Sequence, residues 1–438
     1  MSERESQLFD PLAAAKNIEA QLWKANIAYG PENDPRLWRI SPRYFVIRQL
    51  AYEQLMRQAA LLPKLISGIN ILTEPEVWNP TEGYYFRFDA TLDTKGNIVP
   101  MEFQNEVPVE DATVHHNRAI FEDTIPMPRE CFNPFVGSID GITAVINHRG
   151  GNLGVAIVIP QSRSLYFRDY REGARLLSQR GINAWVSEGN FEINKDGLKE
   201  DGRQIDIVYR AFTRKDISEG GNVTGGSVIQ EAYESGLVDM FPQFSAALED
   251  KGAMAMLYMP EYQEQMLDIL GEEDLGSMRG QYPFTWVCNA ENNPIVNGQR
   301  VGWGSCIMGE EAWKDGYVLK LRRSFGSSGM YISREISLPK WREAVLQSLT
   351  TDDGNYIIQK YVEPQRFWTE ILDENQLVKT DRDYGVRLSA TCVVVNGQSQ
   401  IVELDACLST GFRIHGTRDS VLVPVVVRRS QNGTGNNF

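Results

Sequence analysis

The sequence predicts an α/β fold of more than one domain, and three observations carry that expectation. Between Leu153 and Arg210, apolar strands and an amphipathic helix alternate in a strand–helix–strand pattern, which builds a parallel sheet of Rossmann-like topology. Tyr84 to Asn105 reads as two alternating strands around a turn, and several more apolar strands follow Tyr317. A chain of 438 residues with 42% hydrophobic content can fill a sizeable core and predicts two or three domains.

Composition sets bounds on function. Met1 to Glu5 leads into a polar amphipathic segment without an apolar signal core, and the longest near-apolar stretch, Leu61 to Leu72, is interrupted by Pro63 and Lys64. The chain is therefore expected to be soluble and unprocessed. The five cysteines, Cys131, Cys288, Cys306, Cys392 and Cys407, show no paired spacing. That fits a reducing cytoplasm, with neither a disulfide framework nor a zinc cluster. A net charge of −14 argues against a nucleic acid or an anionic membrane as the main partner. It leaves room for a nucleotide, which needs only a local basic pocket.

In order along the chain, Leu12 to Tyr29 and Phe45 to Ile66 carry apolar residues at helical spacing and predict two packed helices. Tyr84 to Thr91 alternates like a strand, Asp93-Thr94-Lys95-Gly96-Asn97 is turn chemistry, and Ile98 to Asn105 returns as its partner. Alternate residues share a face, so Arg87 and Asp89 point one way, as do Glu102 and Gln104. Two carboxylates and an amide oxygen suit Mg²⁺ held jointly with substrate phosphates. An isolated hairpin with a wet polar face fits the same residues. His115, His116 and Arg118 follow on a predicted helix.

From Leu153 the pattern is Gly154 to Ile159 as a strand, Tyr166 to Gln179 as a helix, and Ala184 to Val186 and Asp206 to Arg210 as further strands. It lacks the G-x-G-x-x-G turn of dinucleotide-binding folds. Gly220 to Gly226 is a flexible break. Phe244 to Leu257 has the periodicity of a buried helix, and Lys251 is its only cation. Pairing of Lys251 with Asp250 or Glu249 is the plain reading of that lysine.

The stretch from Asp315 to Tyr331 is an apolar run carrying Lys320, then a small-residue loop with Arg322 and Arg323 at its entrance, then a second apolar run. A buried lysine needs an anion or water. Glycine and serine let successive N–H groups approach phosphate oxygens. A plain hairpin with a snorkelling lysine fits equally well. Pro339 to Leu349 then predicts a helix, and Tyr356 to Pro364 a strand with an extended end that offers backbone groups to an adenine edge. Gly385 to Val395 and Gln400 to Asp405 form a hairpin around Asn396-Gly397. Val421 to Val427 is the last strand, and the Asn/Gly-rich end is expected to be disordered.

Taken in order, these segments resemble the circularly permuted ATP-grasp ligases, most closely the synthetase part of glutathionylspermidine synthase. The resemblance runs from Tyr84 to Val427. Arg87-Phe88-Asp89 resembles the family's R-x-D, and Glu102 to Pro108 its E-x-N-x-D-T-P. Asp206 to Arg210 is similar to D-x-x-Y-R, and Pro242 to Lys251 to the segment ending in S-N-K. Tyr317 to Lys320, the loop after it, and Ile358 to Val362 resemble the nucleotide lysine strand, the phosphate loop and the adenine hinge. Gln104, Glu106 and Leu321 stand where the family has asparagine, aspartate and proline.

The resemblance implies a circularly permuted ATP-grasp fold with a helical N-terminal segment and a metal-binding hairpin over 1–150. A Rossmann-like domain over 151–215, a nucleotide-binding domain over 216–430 and a tail over 431–438 would follow. It implies ATP and Mg²⁺ as cofactors and formation of an amide from a carboxylate and an amine through an acyl phosphate. Asp89, Glu102 and Gln104 would hold the metal. Lys251 and Lys320 would contact the phosphates, with Gly326, Ser327, Ser328 and Gly329 closing over them. Arg87 and Arg387 would stabilise the transferring phosphoryl group, and Gln359, Lys360 and Val362 would line the adenine. An amino acid, a peptide, a polyamine or a carrier-bound acyl group are the expected substrates. Glu403-Leu404-Asp405 resembles the C-terminal E-x-N of unpermuted enzymes and is a rival metal site.

Overall fold

The computed structural model describes residues 9–28, 30, 33–73, 83–104, 111–218, 222–243, 250–296, 299–324, 329–350, 355–380, 384–411 and 420–430. The expected disordered tail lies outside them, as do Gly326, Ser327, Ser328, Glu106 and residues 244–249 of the predicted Phe244–Leu257 helix.

The chain opens with α1 (Pro11–Lys24), started by Asp10, whose Oδ1 accepts from the N–H groups of Leu12 and Ala13 at 2.9 and 3.1 Å. Ala14, Ala15, Ile18 and Leu22 form its buried stripe. The second predicted helix begins late. Phe45–Arg48 is a strand, β1, and only then does α2 (Gln49–Thr73) start. The Phe-Val-Ile run pairs in parallel with a valine-rich strand at the far end of the chain, so sheet pairing overrides the local helical spacing.

The hairpin β2 (Tyr84–Leu92) and β3 (Ile98–Gln104) turns where the sequence predicts. Asp93 Oδ1 accepts from the Lys95 and Asn97 N–H groups, both at 2.8 Å. Next come α3 (Asp111–Thr124) and α4 (Ser138–Arg149). The Rossmann-like unit follows as β4 (Gly154–Val158), α5 (Phe167–Gln179), β5 (Asn183–Val186), β6 (Ile207–Arg210) and β7 (Asp239–Phe241). Its strands are parallel in the order β7-β6-β4-β5.

The third unit holds an antiparallel sheet ordered β8-β11-β9-β10. Its strands are β8 (Thr285–Val287), β9 (Tyr317–Leu321), β10 (Tyr331–Ile332) and β11 (Tyr356–Lys360). Helix α6 (Leu338–Thr350) lies between β10 and β11, and Trp286, Trp341 and Ile358 sit in the core under this sheet. The segment Lys251–Leu257 is a 3₁₀ helix in place of the predicted α-helix, begun by Asp250 accepting from the Gly252 N–H at 2.7 Å.

The chain ends with β12 (Tyr384–Val395), β13 (Gln398–Ser409) and β14 (Val421–Arg428). Asn396 and Gly397 both have positive φ, 53° and 73°, as a tight two-residue hairpin turn requires. These strands run β1-β14-β13-β12-β2-β3 within an eight-stranded mixed sheet. Two pairings cross the boundaries drawn from sequence: β7 lies beyond residue 215 yet completes the Rossmann-like sheet, and the early hairpin docks on β12. Among the described residues, no helix is long and apolar enough to cross a membrane.

Candidate active site

The site is built on one face of the large sheet. Asp89 stands opposite Glu102 on one side and Ser389 on the other, and Ser389 stands opposite Asp405. One row over, Arg87 lies between Gln104 and Thr391, and Thr391 faces Glu403. Cross-strand partners share a face, so the early hairpin and the C-terminal acids line a single wall. That wall is not wet: Asp89 is 2% exposed and Glu403 is 0% exposed.

Asp89 is held by charge without hydrogen bonds. Arg87 Nε lies 3.4 Å from Oδ1 and Arg387 Nε lies 3.7 Å from Oδ2, and neither carboxylate oxygen receives a hydrogen bond. A buried carboxylate in that condition marks a place for a donor or a cation. Glu102, half-buried on the neighbouring strand, supplies the second carboxylate. The pair fits Mg²⁺ shared with phosphate oxygens, because that ion commonly takes one or two protein carboxylates and completes its shell elsewhere. Among the described residues, no group of three or more His, Cys, Asp and Glu side chains forms a ready metal cage. Gln104 occupies the expected strand position, and its side chain lies outside the description.

Glu403 pairs with Arg118 of α3, which also donates to the Phe135 carbonyl at 3.0 Å. Near the start of α3, Asp111 accepts from the hydroxyls of Tyr85 and Tyr209, each at 2.6 Å, and so ties the large sheet to the Rossmann-like sheet. Burial pushes the Asp111 carboxyl up, against the lowering effect of the two hydroxyls and Arg87. Arg210, fully buried, donates to the carbonyls of Pro242, Phe212 and Gln243. The Tyr-Arg end of the D-x-x-Y-R strand is therefore an internal bracket. Sequence reasoning left Asp111, Tyr85 and Ser389 unremarked; the alternation that puts Tyr85 on the face of Arg87 was the available signal.

Lys320 lies on β9 in the antiparallel sheet and is 7% exposed. Its Nζ donates to Gln359 Oε1 at 2.8 Å. Burial pushes its pKa down; Glu102 and Asp89 raise it, and Lys251 lowers it. The charge of the two candidate metal carboxylates therefore reaches Lys320 from the large sheet. A snorkelling lysine would reach bulk water, and this one does not.

Lys251 does not pair with Asp250. Its Nζ donates to the Ser324 carbonyl at 2.6 Å, while Asp250 takes Arg322 at 2.8 and 2.5 Å. The lysine therefore sits beside the entrance of the small-residue loop. Gly329, at the loop's exit, has φ +65°, and a Cβ there would run into the Leu321 side chain.

The hinge residues divide between two faces. Gln359 is fully buried on the face of Lys320 and donates to Thr285 Oγ1 at 3.1 Å. Lys360 points to the other face, where its ammonium lies 3.4 Å from Asp315 Oδ2 and 4.7 Å above the Tyr317 ring. The N–H groups of Lys360 and Tyr361 donate to the Phe284 and Gly316 carbonyls at 2.8 and 3.1 Å. An adenine edge would therefore meet the chain at half-buried Val362 or beyond.

The helices and sheets make a mixed α/β fold with a large mixed sheet. Among solved structures, the chain is similar to a glutathione synthetase-like effector from Globodera pallida, solved in its apo form. The TM-score is 0.60 at 11% identity, covering 95% of this chain and 97% of that one. No family model matches the chain, and no curated protein matches it.

Proposed function

We propose that this chain is an ATP- and Mg²⁺-dependent carboxylate–amine ligase with the permuted ATP-grasp order of elements. The observation that carries this reading is the pairing of Asp89 with Glu102 on a buried wall, together with the buried ammonium of Lys320, on which both carboxylates act. A fixed cation and a paired-acid wall are what a polyphosphate and its metal ion require. The neighbour's name, a glutathione synthetase-like protein, is compatible with amide synthesis.

Asp89 and Glu102, with Gln104 on the same strand face, would hold Mg²⁺ against the phosphates. Lys320 and Lys251 would bind phosphate oxygens beside the loop of Gly326, Ser327, Ser328 and Gly329. Bound ATP would supply its γ-phosphoryl group to the substrate carboxylate, giving an acyl phosphate and ADP, and the amine would then attack the acyl carbon and release phosphate. Arg87 and Arg387 would neutralise charge at the transferring group. The described cysteines Cys131, Cys288, Cys392 and Cys407 are free thiols. An amino acid, a peptide, a polyamine or a carrier-bound acyl group is the substrate class.

The test is phosphate release from ATP and Mg²⁺ by the purified protein, screened against pooled carboxylic acids and amines, with Lys320→Ala in parallel. Release that depends on both an acid and an amine, and is lost in the variant, is the expected result. Release with an amine or alcohol phosphorylated in place of an amide formed would replace ligation by phosphoryl transfer. A second reading, a nucleotide binder without turnover, draws on the glutamine at position 104 and on the neighbour's designation as an effector. ATP binding without release in any pool would favour it.

A further inference from the structure

Behind Lys320 runs a line of directional hydrogen bonds. The Thr285 hydroxyl donates to the Pro283 carbonyl at 2.9 Å. Its lone pair then accepts from Gln359 Nε2 at 3.1 Å, which turns the Gln359 carbonyl oxygen toward Lys320 Nζ at 2.8 Å. Thr285 and Gln359 are both 0% exposed and Lys320 is 7% exposed. Each step fixes the donor and acceptor sense of the next. The charged side chains that act on the ammonium are Glu102 and Asp89 from the wall and Lys251 from the 3₁₀ segment.

We propose that Gln359 is a positioning residue for Lys320, a neutral anchor that fixes the ammonium without neutralising it, and that Thr285 sets the anchor. This rests on the nucleotide reading of the site. An amide oxygen satisfies one donor of the ammonium and leaves its full charge for an incoming anion. A carboxylate at the same place would form an ion pair and quench that charge, whereas an alkyl group would leave a buried donor unmet and the side chain free to rotate. Gln359 therefore acts on the phosphates through Lys320 and does not read the adenine.

The experiment compares ATP and adenosine binding by calorimetry in the full-length protein and four variants: Gln359→Glu, Gln359→Leu, Thr285→Val and Thr285→Ser. Each is first melted without nucleotide to confirm folding. ATP affinity falls about tenfold in the Gln359 variants and about threefold in Thr285→Val, the scale of a lost hydrogen bond to a charged group. Thr285→Ser retains the hydroxyl and restores binding, while adenosine affinity is unchanged throughout. Equal losses for ATP and adenosine would return Gln359 to the adenine pocket and overturn the proposal. Unchanged ATP affinity in folded variants overturns it as well. Should the Gln359 variants not fold, the near-isosteric valine and serine pair decides on ATP alone. If the wild type does not bind ATP, the nucleotide reading itself falls and the proposal with it, a result distinct from the other two.

Discussion

Asp89 and Glu102 face each other across β2 and β3, and the buried ammonium of Lys320 answers both from a different sheet. The electrostatic relationship joins segments more than 200 residues apart in the sequence. It makes the site a product of docking between sheets, and several outcomes follow from it.

Replacing Lys320 by methionine separates binding from folding. The ammonium is buried at a desolvation cost, so an apolar side chain of similar length leaves the nucleotide-free melting temperature equal or higher. ATP affinity falls by about tenfold or more, the scale of a lost charge-assisted contact. Melting curves with and without ATP read both effects.

Asp89→Asn removes the negative charge between the guanidinium groups of Arg87 and Arg387. Stability falls by about 1–3 kcal/mol, measured as a lower urea midpoint. Magnesium ceases to strengthen ATP binding in this variant, while metal-free ATP binding is retained.

Glu102 and Glu403 should behave oppositely, although both lie on the same wall. Glu403→Gln breaks the buried pair with Arg118 and costs about 3–5 kcal/mol, with the effect of Mg²⁺ on ATP binding preserved. Glu102→Gln loses the Mg²⁺ effect and leaves stability nearly unchanged. The combined variant Arg118→Met with Glu403→Leu recovers most of the stability lost by Glu403→Gln. Loss of the Mg²⁺ effect only in the Glu403 variant would assign the metal to the C-terminal acids.

Acid sensitivity should have an identifiable component at His115. Burial, then Arg180, His116 and Arg118, push its imidazole down to about 4 against the pull of Asp140. The folded protein thus binds this proton less readily than the unfolded chain, whose histidine titrates near 6.5. The His115 contribution is complete above about pH 6.5 and is lost as the pH falls toward 4. Urea midpoints at pH 7 and pH 5 should differ less in His115→Gln than in the wild type.

Much of the sheet framework under the candidate site was legible in the sequence because strands and turns carry local signals. The alternation of Arg87-Phe88-Asp89, the Asp93–Asn97 turn, the parallel unit after Leu153 and the Asn396-Gly397 hairpin all appear where pattern and turn chemistry put them. Pairing between distant strands has no such signal. In the sequence Glu403 and Asp405 read as rivals of Glu102 with no sign of their nearness; β12, lying between β2 and β13, aligns Asp89, Ser389 and Asp405 in one row. Similarly, Phe45–Arg48 reads as helix because its partner, β14, lies at the other end of the chain. The partners of Lys251 also required the fold: its own segment offers Asp250, but Arg322 takes that carboxylate.

The measurement that tests the central claim most directly is calorimetric titration of ATP, with and without Mg²⁺, into wild type, Lys320→Met and Asp89→Asn. A single nucleotide and metal site predicts ATP binding that Mg²⁺ strengthens in the wild type, marked weakening in Lys320→Met, and loss of the Mg²⁺ effect alone in Asp89→Asn. No ATP binding by the wild type, or equal binding in all three with the same response to Mg²⁺, would contradict it.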